Sequence, residues 1–587
     1  MLQITQIKLE ANQSEETLPV KIAKLLHIKV EEILSYRIVK RSIDSRKKPL
    51  IFYIYTVWFE VANEDAIWKK SSKLKHNQVS FVQEAVYQIP YIDSSALNRL
   101  SGVESVHRSI HQVSNHRATV NSNHVVIVGS GPAGLFSAYI LAKAGVKPII
   151  IERGAPVEQR QIDVQEFWDT GILNTESNVQ FGEGGAGTFS DGKLNTQIND
   201  KSGRNQYLLQ VLVDHGAPKS ILYDQKPHVG TDVLIQVVRS LRTSIQAMGG
   251  EFYFHSRLID LTTKDSNPKQ LDQILVHDRT HVYNNKNSPH FNPEVEDGGT
   301  LRRIRVSHLV LAIGHSARDT FRMLHEAGVP MESKPYAVGF RVEHNQSTIN
   351  QSQYGTHPYD SLPPAAYKLT TRVKDERGVY TFCMCPGGYV VNASSEQNRL
   401  VVNGMSYHKR DGQNANSAVI VTVDSSDFMT WGIKEQNALS GLQFQEILEE
   451  RAYQLCKGKI PVQRFEDFCH NQVSTSLGEV TPQTKGQWQL SRLNELLPDA
   501  LNTAIQQGMI QMDQKLRGFA HPDTLLLGIE SRTSSPIRIL RDESFQSEIR
   551  GIYPCGEGAG YAGGITSAAM DGMKVAEAIC KQLSVMV

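Results

Sequence analysis

VVIVGSGPAGLFSAYILAKAGVKPIIIERG, residues 125–154, decides how the rest of the chain is read. A β-branched run, Val125 to Val128, meets the turn Gly129-Ser130-Gly131-Pro132-Ala133-Gly134. An apolar stretch with helical character continues to Lys143, and a second strand, Ile149-Ile150-Ile151, ends on Glu152 and Arg153. Strand, glycine turn, helix, strand and acid, in that order, form the βαβ unit that holds the ADP half of a dinucleotide. Gly129 permits the tight turn, Gly131 lets backbone approach a pyrophosphate, and Gly134 lets the helix lie close to the strand. The helix start, at Pro132 and Ala133, offers unpaired N–H groups and the positive end of the helix dipole. Glu152 stands about 20 residues past Gly129, where a carboxylate accepts ribose hydroxyls and repels a 2′-phosphate. FAD or NAD is therefore favoured over NADP.

The bare GxGxxG pattern occurs at Gly129/Gly131/Gly134, Gly182/Gly184/Gly187 and Gly558/Gly560/Gly563. Only the first has the strand-helix-strand context, so only the first is read as the fingerprint. Pro132, Lys143 and Lys147 interrupt the apolar run well short of the roughly 20 residues that span a bilayer, so no membrane span is expected.

With 587 residues, 40% of them hydrophobic and 21% charged, the chain has the composition of a globular protein of several domains. A net charge of +1 gives no general pull toward nucleic acid. The charged start, MLQITQIKLE, lacks the apolar core of a signal peptide, and six scattered cysteines suit a reducing compartment. A cytoplasmic location is expected.

The expected organisation is an N-terminal α+β domain (1–100), a polar linker (101–123), a dinucleotide-binding domain in two parts (124–333 and 517–587) and a β-rich α+β cap carrying the substrate (334–516). Within the first domain, Leu2 to Leu9 and Leu50 to Val61 read as strands, and Leu18 to Val39 has helical spacing. The basic cluster Arg37, Lys40, Arg41, Arg46, Lys47 and Lys48 reads as a solvated helix face and turn; an RNA handle is the competing reading. His107 and His111 read as linker histidines, and no metal site is expected. Asn284 to Gly299 is a polar insertion.

Three further segments point to the cofactor. Phe181 to Thr196 carries five glycines, among them Gly184, Gly185 and Gly187, followed by Thr188; successive N–H groups in such a loop form anion-binding nests. The strand at 308–312 returns to Gly314 and His315. The strand at 551–554 ends in Gly556 and Glu557, where an acid can hydrogen-bond a flavin ribityl chain. Ala559 to Thr566, with Gly564 and Ile565 read as cofactor-binding, leads into a helix from about Ser567 to Leu583, its N-terminus suited to negative charge developing on a reduced flavin.

Taken together, FGEGGAGTFSDGKL, IGHSARDT, GFRVEH, TFCMCPGG, GIESRTSSP and YPCGEGAGYAGGITSAAMDG resemble a bacterial family of large FAD-dependent dehydrogenases within the glutathione-reductase-like FAD superfamily. The resemblance covers residues 110–580. It implies FAD, assumed to be non-covalent, an α/β fold built on a discontinuous Rossmann-like domain, and an oxidoreductase activity. It places Gly129, Gly131, Gly134 and Glu152 on the ADP fingerprint, and Glu557 where the superfamily more often has Asp.

No second βαβ fingerprint lies between 155 and 550, and no CxxxxC follows the first. Hydride transfer between a small anionic or unsaturated substrate and flavin is the expected reaction, with NAD(P)H as a transient donor the alternative and a flavin-dependent RNA-modifying protein the rival of another class. Arg341 and Arg532 are candidate anion forks, and His315 is a candidate proton donor. Cys383 and Cys385 read as structural, because residues i and i+2 of a regular strand lack relaxed disulfide geometry.

Overall fold

The 125–154 stretch forms the centre of a five-stranded parallel sheet in this computed structural model, which describes residues 1–71, 79–93, 125–196, 198–280, 299–356, 362–373, 377–434 and 437–585. The linker expected at 101–123, with His107 and His111, lies outside the described residues, as does the 284–299 insertion except for Gly299.

The sheet order is Ile552–Pro554, His308–Leu311, Val125–Val128, Ile149–Ile151 and Glu251–Tyr253, every pair parallel. The three inner strands are fully buried and, apart from His308, apolar throughout, because both faces are covered. Val125, Ile127, Ile150 and Val310 face a helical layer that contains Pro132–Lys143 and Ile565–Val585. Val126, Val128, Ile149, Ile151, Leu309 and Leu311 face a three-stranded antiparallel sheet of Ser256–Lys264, Gln270–Asp278 and Thr300–Arg305. The outer strand and the long last helix return from the end of the chain, so the domain is discontinuous.

The cap is built on a seven-stranded sheet ordered Thr370–Arg372, Gly378–Cys385, Asn414–Val423, Tyr336–Asn345, Leu525–Glu530, Ile460–Arg464 and Trp488–Leu490. Helices Ser440–Cys456 and Asp499–Asp513 share its apolar core through Phe444, Leu448, Ile505 and Met509. Leu525–Glu530 falls beyond the cap boundary expected at 516, yet it pairs with Tyr336–Asn345 and Ile460–Arg464 inside this sheet. With both of its edges paired to cap strands, it belongs to the cap sheet and not to the second part of the dinucleotide-binding domain expected from 517.

In the N-terminal domain a four-stranded antiparallel sheet is ordered Ile33–Lys47, Leu50–Val61, Leu2–Glu10 and Val79–Phe81. The helix expected over Leu18 to Val39 stops at Leu26, where His27 adopts φ 54°. Ile33–Lys47 then pairs with Leu50–Val61 as a hairpin. Cross-strand pairing of its β-branched and aromatic residues outweighs their helical spacing. The basic cluster therefore lies on an edge strand rather than a helix. Arg37 pairs with Glu84, Arg46 with Asp44, and Arg41 with Glu15 and with Asp224 of the dinucleotide-binding domain. Among the described residues, no helix is long and apolar enough to cross a membrane.

Candidate active site

One cavity lies at the carboxyl ends of the parallel strands, the position at which open α/β sheets bind ligands. All three GxGxxG segments reach it: Gly129 and Gly131 from the first, Gly182, Gly185 and Gly187 around the second, Gly563 and Gly564 at the end of the third. Val128, Ile151 and Ala312, at or just past strand ends, form its floor.

Gly129 has φ +100°, and a Cβ there would stand 2.3 Å from the Ala312 carbonyl oxygen; only glycine fits. A Cβ on Gly134 would stand 1.9 Å from the Gly129 carbonyl oxygen, so helix and turn touch directly. Gly131, by contrast, meets nothing nearer than 3.7 Å. Gly314, Gly563 and Gly564 have no protein atom within 4 Å of where a Cβ would be. These four cavity-lining glycines leave a bare-backbone cradle that side chains would fill. Two helix N-termini, at Pro132 and Ile565, open onto the same space. Bare backbone, two positive dipole ends and an acid at the second strand's end together fit a dinucleotide with a pyrophosphate at its middle.

Glu152 lines the cavity, and its carboxylate already accepts four hydrogen bonds. Ser130 N and Oγ donate to one oxygen at 2.9 and 2.8 Å, and Gly154 N and Gly182 N donate to the other at 2.9 and 3.1 Å. Arg153 lines it too, with its guanidinium 4.0 Å from the Phe181 ring centroid and paired with Glu176 and Asp319. Pro132, Ala133, Gly185, Gly187, Gly314, Glu557, Gly564 and Ile565 complete the expected set that reaches the cavity. Gly134, Gly184, Thr188 and Gly556 stand behind it. Gly184 packs on Thr188 and Val238, and Gly556 N donates to Asp571. The buried Thr188 hydroxyl has no hydrogen-bond partner among the described residues.

The glycine loop is held by a residue that the sequence does not single out. Arg160, fully buried, donates Nε to Asn178 O, Nη2 to Val179 O, and Nη1 to the carbonyls of Gly182, Glu183 and Gly185. Burial lowers its pKa to about 10. Neither spacing nor motif marks such a residue, because its partners are main-chain carbonyls.

The opposite wall comes from the cap: Phe382, Cys383, Asn403, Glu530, Arg532 and Thr533. The candidate forks are committed elsewhere. Arg532 reaches the cavity, but Nε and Nη2 bond both oxygens of Glu449 at 2.9 and 2.7 Å, and Nη1 bonds Ser395. Arg341 is fully buried and is not among the cavity-lining residues; it bonds Glu530, Asn403, Asn416 and the Cys383 carbonyl. It acts on the site only through the residues it holds. His315 lines the cavity with Nδ1 3.3 Å from Glu557 Oε1. Lys193, from the glycine loop, is the cation that the sequence reading passed over. Its Nζ donates to Met384 O and lies 3.4 Å from Asp191.

Two family models that match this chain name FAD. A family described as "FAD-dependent protein, C-terminal domain-like" matches residues 335–533, an "FAD binding domain" matches 122–161, and a domain of unknown function matches 1–60. An uncharacterized protein of Clostridium beijerinckii is 43% identical over 586 residues, covering 99% of each chain. Among solved structures, the FrdA chain of E. coli quinol fumarate reductase aligns with 79% of this chain and 70% of its own at 10% identity and TM-score 0.35. A geranylgeranyl bacteriochlorophyll reductase-like protein of Thermoplasma acidophilum aligns over 79% of both chains at 10% identity and TM-score 0.34.

Proposed function

The chain belongs to a family of FAD-dependent proteins and is an FAD-dependent oxidoreductase, and on that premise we propose that it is a dehydrogenase moving a hydride between FAD and a small anionic or unsaturated organic substrate. One observation carries the reading: a single cavity has a glycine cradle on one side and cap side chains on the other, so nucleotide and substrate have separate walls. FAD, when bound, supplies hydride chemistry at N5.

The chain's own residues supply binding and electrostatics. Gly131 and the helix N-terminus at Pro132 take the pyrophosphate. Glu152 takes the ribose hydroxyls when the Ser130 hydroxyl turns aside, since its other three donors are main-chain N–H groups. Glu557 takes a ribityl hydroxyl. The His315 imidazole, oriented by Glu557, holds or releases a proton beside the substrate. Lys193 is the cation for a substrate anion: besides its contacts with Asp191 and Met384 O, its ammonium has a third N–H to donate, whereas Arg341 is buried behind the cavity and Arg532 spans both oxygens of Glu449. Phe382 and Ile313 narrow the access of water.

Anaerobic mixing with NADH, NADPH and then a panel of small organic acids, followed by the visible absorbance of the flavin, tests this proposal. Bleaching by an organic acid and by neither nucleotide is expected. Fast bleaching by NADH or NADPH would replace the reading with a pyridine-nucleotide-driven reductase.

A further inference from the structure

We propose that Cys383 and Cys385 form a dithiol–disulfide couple that exchanges two electrons with FAD in this cavity, a role that rests on the FAD-dependent reading above and goes beyond it. The local backbone is what makes the pair unusual. Phe382 stands opposite Ala418 and Cys385 opposite Asn416, so Cys383 and Met384 face Ser417 alone: a β-bulge. Cys383 takes φ +44°, a conformation rare for a residue with a side chain and one that recurs at functional sites. The bulge ends the regular alternation on which the structural reading of this CxC depended.

The bulge sets the two sulfurs in different surroundings. Cys383 is partly exposed and lines the cavity, whereas Cys385 is buried behind it. The Cys385 thiol lies against Cys383, 3.3 Å from its carbonyl oxygen. Two cations clamp the segment: Arg341 Nη1 donates to Cys383 O at 2.9 Å and lies 4.0 Å from Cys385 Sγ, and Lys193 Nζ donates to Met384 O. Glu530 and Asp191 are the carboxylates behind those cations. The hydrogen bond from Cys385, with Lys193 and Arg341, holds the Cys383 thiol well below its ordinary range, while burial pushes Cys385 well above it. A partly exposed thiolate backed by a protonated thiol is the arrangement that thiol–disulfide exchange uses. Cys555 also lines the cavity, but burial pushes its thiol well up and no second cysteine stands beside it in sequence.

The electrons balance within the site. The Cys383 thiolate and Cys385 thiol form one S–S bond and release two electrons and one proton. FAD takes up those two electrons and one proton to give FADH⁻, and the reverse step restores the thiolate and the thiol.

Counting electrons tests the couple. Holoprotein is oxidised with diamide, freed of reagent and titrated anaerobically with dithionite, while a parallel sample is denatured, alkylated with iodoacetamide and weighed by mass spectrometry. Wild type is expected to take four electrons per FAD, and Cys383→Ser and Cys385→Ser two. In the oxidised wild type, the peptide holding both cysteines is expected to be two hydrogens lighter and unlabelled. Two electrons per FAD in the wild type, with both cysteines labelled, would overturn the proposal while leaving the flavoprotein reading intact. A protein that binds no FAD would overturn that reading too, and the alkylation pattern would still report whether the pair closes. If a serine variant does not fold, the wild-type electron count and mass decide alone.

Discussion

Every hydrogen bond that the Glu152 carboxylate accepts in the structure comes from its own chain, from Ser130, Gly154 and Gly182. The residue thus ties the first glycine turn to the second glycine loop before any ribose arrives. Glu152→Gln turns an N–H₂ toward donors and removes the charge. Hydrogen bonds to a charged group contribute about 1.5–3 kcal/mol, so FAD affinity should fall roughly 10- to 100-fold in a fluorescence titration. Ser130→Ala frees a lone pair for the ribose, and its affinity should stay within a few-fold of wild type. The sequence made Glu152, Gly129 and Gly134 legible because each role belongs to a backbone motif with fixed spacing. Arg341 and Arg532 were misread for a physical reason: a guanidinium in a cavity-forming segment looks the same in sequence whether its partner is a substrate or Glu530 and Glu449. Lys193 and Arg160 carried no signal, since their partners include main-chain carbonyls.

Elements were legible where one periodicity had no competitor. The buried strands at 125–128, 149–151 and 308–311 and the helix after residue 131 stand where their patterns put them, and the last helix, Ile565–Val585, begins two residues before the expected Ser567. Leu18 to Val39 failed as a single helix because the β-forming residues of its second half pair across a hairpin with Leu50–Val61, a contact invisible to local spacing. Leu525–Glu530 was misassigned likewise, because the strands that flank it in the cap sheet, Tyr336–Asn345 and Ile460–Arg464, lie far earlier in the chain. The most exacting contact between elements is that of helix Pro132–Lys143 with the first turn. Gly134→Ala puts a methyl 1.9 Å from the Gly129 carbonyl oxygen, a main-chain atom that cannot swing away. Overpacking of this kind costs about 1–3 kcal/mol. Thermal unfolding should move to lower temperature, and FAD should be lost from the folded protein, because the displaced helix carries its N-terminus away from the pyrophosphate.

At the scale of the whole molecule, the cap and the dinucleotide-binding domain are joined by a buried ion cluster. Arg318, on the helix after Gly314, bonds Glu449 on cap helix Ser440–Cys456 at 2.6 Å, and Arg532 bonds the same carboxylate. Although burial alone would raise the Glu449 pKa, the two arginines hold it far below the usual carboxylate range. A carboxyl depressed by folding contributes stability that is fully present above its unfolded value, about 4.3, and is lost as pH falls through the folded value. Glu449→Gln leaves two guanidiniums without their shared charge and should cost about 3–5 kcal/mol in denaturant melts near neutral pH. The deficit relative to wild type should shrink only below pH of about 4. A variant as stable as wild type at neutral pH would mean that the domains are joined by other contacts.

The account rests most heavily on three glycine segments forming one FAD cradle, and Gly563 isolates that claim. It lines the cavity, has no positive φ and has no protein atom within 4 Å of a would-be Cβ, so the protein itself gives no steric reason for glycine there. The decisive measurement is FAD titration of apoprotein, wild type against Gly563→Ala, with melting of both apo forms alongside. The cradle predicts apo stabilities equal within about 0.5 kcal/mol and FAD binding at least roughly tenfold weaker in the variant. Equal FAD affinity in two equally stable proteins would contradict it.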